Sequence, residues 1–175
     1  MFRLLKLTER FIDAIIQRAA FVALAGMIAV ITLQIVTRVF FTAVSWSEEL
    51  ARYLLVWASF LGATMAWQRG RHIAVGFAVE WLPGRLRVLV KAAAILVSIA
   101  FFAVIIYFGI RFMQMQTFQV SASLRIPIRY VYAVIPFSAA VMLYYSLIDL
   151  IEQLSVSARR QASAIEAASA SGDRL

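Results

Sequence analysis

The chain has 175 residues, of which 63% are apolar and 15% charged, with no cysteine and a mean hydropathy of +0.86. Soluble domains sit nearer half apolar and a quarter charged, so a soluble enzyme, a secreted disulfide scaffold and a disordered tail protein are excluded. The net charge of +8 lies at the ends of long uncharged runs rather than on one polar face, which excludes a nucleic-acid module.

Residues 1–18 place Leu4, Leu5, Phe11, Ile12, Ile15 and Ile16 on one helical stripe and Arg3, Lys6, Arg10 and Asp13 on the other. This is the pattern of an interfacial helix. Ala19–Thr37 is then an uncharged run of 19 residues, about 28 Å of helix against roughly 30 Å of hydrocarbon. The apolar region of a cleaved leader is usually about 7–15 residues. This run exceeds that and leads into Arg38 and Phe40-Phe41, so it is expected to remain as a span over 19–38.

The second span is expected over 46–68. Its uncharged core, Tyr53–Gln68, is 16 residues long, so reaching both interfaces draws Glu48, Glu49 and Arg52 into the first turns. Ser45 or Ser47 is a candidate cap, and the two acids suit the positive end of the helix dipole. Arg52 lies four residues after Glu48 and three after Glu49, spacings at which side chains meet on one face. Arg38, ending the first span, is expected on the same side of the membrane. Arg38, Glu48, Glu49 and Arg52 thus form an interfacial charge network. Ionisable groups beside a membrane helix are functional suspects, but acids already compensated by arginines fit a structural network better than a proton or cation site. Further along, Ala58, Gly62 and Ala66 recur every four residues, with Trp46 at the head of the helix. Small residues at that spacing let helix backbones approach closely in lipid, which marks a packing face for a partner or a neighbouring helix.

The second connection holds His72, Trp81, Arg85 and Arg87 around Pro83-Gly84. Segment 72–82 is too apolar for an aqueous loop and is expected as an amphipathic brace on an anionic leaflet. His72 is the only histidine and cysteine is absent, so neither bis-histidine haem nor a metal cluster is expected, and no cofactor is predicted. Spans three and four are expected over 89–110 and 128–149. Between them, RFMQMQTFQVSASLRIPIR reads as a structured extracytoplasmic cap, and Pro136 is expected to kink the last span near its middle. The tail, 152–175, with six Ala and five Ser, is expected to be helical to about Ile165 and to fray beyond. Trp57 and Trp67, with Trp46, Trp81 and several tyrosines, read as interfacial belts.

The fold class is therefore all-α: one membrane domain of four transmembrane helices over 1–151. Lys and Arg number twelve on the side of the termini and the second connection against five on the other, which places both termini in the cytoplasm. Two functions remain open from the residues: a rigid scaffold for another subunit, or a self-assembling ion or solute carrier that uses Glu48, Glu49 and Arg52 directly.

Several of these segments together resemble the small membrane subunit of tripartite ATP-independent periplasmic (TRAP) transporters, the DctQ-like proteins. The likeness rests on Arg38, then WSEELARYLLVWASFLGA from Trp46 to Ala63, HIAV from His72, and LPGRLR from Leu82 to Arg87. It departs at Gly76, where that family carries an acid and where Glu80 is the nearest one here. The resemblance implies a non-enzymatic scaffold in the bacterial inner membrane that holds a large transport subunit. That partner carries the substrate and sodium sites for organic acids such as carboxylates, and a periplasmic binding protein delivers the solute.

Overall fold

The computed structural model describes the backbone of residues 2–40, 42, 44–79 and 84–172, and the side chains of 7–40, 42, 44–70 and 86–155. The described residues are almost all helical: α1 Phe2–Phe40, α2 Ser45–Val79, α3 Gly84–Met115, the single turn α4 Arg129–Tyr132, and α5 Val134–Gly172. Among the described residues the only extended pairing is an isolated bridge, Val120 to Pro127, in the third connection. Four segments are long and apolar enough to cross a membrane: Leu7–Phe40, Ser45–Gly70, Leu86–Met115 and Arg129–Ser155.

The helices run longer than the sequence pattern suggests. With no Pro or Gly before Gly26 to interrupt the ladder, the amphipathic segment and the first span form one unbroken helix, α1. The backbone of α2 likewise stays helical to Val79, through His72. In the tail, α5 continues to Gly172, past Ile165, because alanine-rich sequence propagates helix without needing a packed face.

Packing follows lipid logic. α1 lies against α2, α3 lies against α5, and α2 meets α5 to join the two pairs. Large apolar side chains point outward: Phe21, Val22, Ile28 and Ile35 on α1, and Val97, Phe101, Val104 and Phe108 on α3. Many of the buried positions are small or hydroxylated, among them Ala139, Thr64, Ser138 and Ser146, beside the core residues Ile16, Leu61 and Val134. In lipid there is no hydrophobic drive to hide leucine, so close backbone approach decides what goes inside. Two of these hydroxyls are satisfied by the helix itself: Thr64 donates to the Phe60 carbonyl at 2.9 Å and Ser146 to that of Met142 at 2.9 Å, whereas the buried Ser138 hydroxyl has no partner among the described residues.

Two aromatic residues expected at the interfaces are half-buried against neighbouring helices. Trp57 packs on the core cluster, and Trp67 meets Phe102 edge to face at 5.0 Å, linking α2 to α3. The proline break also falls earlier than expected. The helix is interrupted at Ala133, and Pro136 sits in the first turn of α5, where its missing N–H leaves no ladder bond unmade. A Pro ring crowds the carbonyl four residues back, here that of Tyr132, which is where α4 ends. Gly109 of α3 fits against this joint: a Cβ there would stand 3.3 Å from Pro136 Cδ and 3.4 Å from Pro136 N.

Candidate functional site

The acidic start of α2 does two separate jobs. Glu48 pairs with Arg52 at 3.0 Å, one turn along, with both side chains more than two-thirds exposed. Such a pair is a solvated surface contact. Glu49, the next residue, turns about 100° around the helix and faces the third connection. Its carboxylate accepts the backbone N–H of Ala122 at 3.2 Å, of Ser123 at 3.0 Å and of Leu124 at 3.3 Å. The Tyr53 hydroxyl, one turn further along α2, also donates to it at 2.8 Å.

The loop is shaped to present those donors. Val120 opposes Pro127 across a narrow neck, closed by Ser121 N–H to the Ile126 carbonyl at 3.0 Å and Ile128 N–H to that of Gln119 at 3.0 Å. Between them the chain makes one helical turn, with Arg125 N–H donating to the Ser121 carbonyl at 3.2 Å. Three successive N–H groups at the start of a turn have no carbonyl of their own to bond, as at a helix N-terminus. Glu49 supplies the acceptor from 73 to 75 residues away. The buried Ser121 hydroxyl shares the Leu124 N–H at 3.2 Å. The turn exits through Arg125 at φ 53°, a left-handed conformation that a non-glycine residue adopts only under local constraint.

The predicted network is thus divided. Glu48 and Arg52 form the exposed pair, Glu49 forms the clasp, and Arg38 is exposed at the end of α1 without an ion pair among the described residues. Ser47 does not cap α2: it lies inside the helix, which begins at Ser45, it is buried, and its hydroxyl donates back to the Val44 carbonyl at 2.7 Å. On the small-residue face, Ala58 and Gly62 are half-buried and Ala66 is exposed, and a Cβ at Gly62 would meet nothing within 4 Å. Trp46 is exposed at the head of the same helix. The side chains of His72, Trp81 and Arg85 lie outside the described residues; Arg87 is half-buried in the opening of α3. Near it Gln153 Nε2 donates to the Val88 carbonyl at 3.1 Å, tying α5 to α3.

The clasp was invisible from the sequence beyond the acid itself. Its other half is backbone, and the only local signal is the Ser-rich stretch followed by Pro127, which marks a turn without naming its partner.

Comparison with known proteins gives the same picture of kinship from several sides. The family described as tripartite ATP-independent periplasmic transporters, DctQ component, matches residues 27–156. The small permease protein SiaQ of a Vibrio cholerae sialic acid TRAP transporter is 36% identical over 107 residues, 59% of this chain and 62% of that protein. The sialic acid TRAP transporter permease protein SiaT of Haemophilus influenzae is 29% identical over 125 residues, 71% of this chain but 20% of that protein. The isethionate TRAP transporter permease protein DctMQ of Oleidesulfovibrio alaskensis is 29% identical over 119 residues, 65% of this chain and 18% of the relative. The chain therefore spans about a fifth of the longer relatives and about three-fifths of SiaQ.

Proposed function

This chain belongs to the DctQ component family of TRAP transporters, multi-pass proteins of the bacterial inner membrane that transport rather than catalyse, and from that membership we propose that it is the scaffold for a large transport subunit. The observation that carries the reading is where its ionisable groups go. Glu49 is taken up by the Ala122–Leu124 amides and Tyr53, Glu48 is paired with Arg52, and the uncharged runs of all four spans hold no other acid or base. A carrier coupled to an ion needs a group that changes its charge or coordination during the cycle. Here Glu49 is taken up by the third connection, while Glu48 and Arg52 offset each other at the surface.

The longer relatives are each named as a permease protein and are about five times the length matched here, which supports a large permease as the partner. Their names carry sialic acid and isethionate, a carboxylate and a sulfonate, which supports an organic acid as the cargo of the proposed assembly; delivery by a periplasmic binding protein and a sodium drive belong to the same proposal. The twelve-to-five excess of Lys and Arg supports an orientation with both termini in the cytoplasm, and with it the Glu49 clasp on the outer side.

The test is reconstitution. Vesicles holding this chain alone, the large subunit alone, or both are given a panel of organic acids together with the cognate binding protein and a sodium gradient. Uptake is expected only when both membrane proteins are present. Uptake by this chain alone would refute the scaffold reading.

A further inference from the structure

The third connection carries an exposed apolar surface that the clasp holds at a fixed depth. Phe118 is 95% exposed and Met115 77%, with Val120 and Ile126 exposed beside them. An apolar tip of this kind on an aqueous loop would invite aggregation. Its depth, however, is set by Glu49. That residue stands one helical turn before Tyr53, where the uncharged run of α2 begins, about 6 Å along the axis. The headgroup layer on each side of the hydrocarbon is of roughly that thickness, about 5–7 Å. By gripping Ala122, Ser123 and Leu124, Glu49 holds the loop within that layer instead of letting it stand out in water.

Two further features fit that location. Nine backbone N–H groups between Gln116 and Ile128 donate to protein acceptors, three of them to Glu49, so the loop makes little demand on water, as a segment at lipid depth requires. The loop is also bracketed by arginines held on aromatic rings: Arg111 lies 5.7 Å from the centroid of Tyr107 and Arg129 4.9 Å from that of Tyr130. Such pairs place a cation at phosphate level above an aromatic ring at the edge of the hydrocarbon.

We propose that the 116–128 loop is a membrane foot, with Phe118 and its apolar neighbours inserted at the boundary between lipid headgroups and acyl chains. Met115 continues the outward apolar stripe of Val97, Phe101, Val104 and Phe108 on α3, and Phe118 extends that lipid-facing surface past the end of the helix. The foot goes beyond the scaffold reading and needs only that the chain spans a bilayer.

The absence of cysteine makes the test direct. Phe118→Cys is labelled with an environment-sensitive fluorophore in the full chain, co-purified with its membrane partner and reconstituted in vesicles of phosphatidylethanolamine and phosphatidylglycerol. Lipids brominated high on the acyl chain should quench the label severalfold, and aqueous iodide should barely affect it. Quenching by iodide with none from bromolipid would overturn the foot, and so would shielding from both, which would mark a protein contact. A second label at Val120→Cys keeps the test decisive if the first variant fails to fold. No readout involves transport, so failure here would leave the scaffold assignment standing.

Discussion

Glu49 in α2 receives the backbone N–H of Ser123 at 3.0 Å, across 74 residues of sequence. This is the contact that makes the third connection part of the helix bundle. Removing the acceptor takes a shared partner from three aligned donors at once, of which that of Leu124 is half-buried, and hydrogen bonds to a charged group are stronger than neutral ones. Glu49→Ala is expected to lower the melting temperature of the purified chain and to speed amide exchange at Ala122, Ser123 and Leu124 while leaving the α3–α5 pair protected. Glu49→Gln, which keeps an acceptor without the charge, should fall between. Tyr53→Phe removes a single donor and should have the smallest effect. Unchanged exchange in the alanine variant would show that the loop holds its shape without the clasp.

The neighbouring acid should behave in the opposite way. Glu48 and Arg52 meet at 3.0 Å with side chains 68% and 69% exposed, and exposed pairs four residues apart on a helix contribute only about 0.3–0.5 kcal/mol. Glu48→Gln, Arg52→Gln and the double variant should therefore unfold at nearly the same temperature. A double-mutant cycle with a coupling above about 1 kcal/mol would mean that the pair is not a solvated surface contact.

The contrast between these two acids shows how far the sequence could be read. The four spans were legible because charge punctuates apolar runs, and so were the ends at which Arg38, Glu48, Glu49 and Arg52 gather. Which acid does what was not, since the loop that selects Glu49 contributes amides, and amides are the same in every sequence. The contacts that Trp57 and Trp67 make with neighbouring helices were not legible for a related reason. Belt placement is a statistical habit of aromatic residues, whereas Trp67 is drawn inward by the ring of Phe102 on a helix distant in sequence. Helix ends were misjudged where composition alone had to decide, as in the alanine-rich run to Gly172.

Gly109 offers a test of internal packing. A methyl group there would press on Ile135 Cγ2 and Pro136 Cδ at 3.3 Å and on the backbone nitrogen of Pro136 at 3.4 Å. Alanine is favoured over glycine in helix by about 0.8–1.0 kcal/mol, which offsets most of that crowding. Gly109→Ala is expected to stay within about 1 kcal/mol of the parent, since the gain and the crowding are comparable. Gly109→Leu has no such compensation and should cost about 1–3 kcal/mol or more by overpacking the α3–α5 contact, read as a drop in melting temperature. A tolerant leucine would mean that α5 can pivot at the Ala133 break.

Gly62 tests the opposite case, a glycine with room around it. Nothing lies within 4 Å of a Cβ built there, and Ser59, Ala63 and Ala66 leave the same side of α2 exposed and small-sided, unlike the Phe, Val and Ile faces of α1 and α3. Leucine at this position relieves a poor helix former, and its Cβ meets nothing within the chain, so Gly62→Leu should leave the stability of the isolated chain unchanged or raise it by about 0.5–1 kcal/mol. In the scaffold reading the same substitution fills the seat of a partner helix. It should therefore reduce co-purification of the large subunit and, in proportion, reconstituted uptake. Stability and assembly thus move in different directions, a combination that damage to the fold cannot imitate. Full assembly with Gly62→Leu would place this face of α2 against lipid and shift the search for the partner contact to α1.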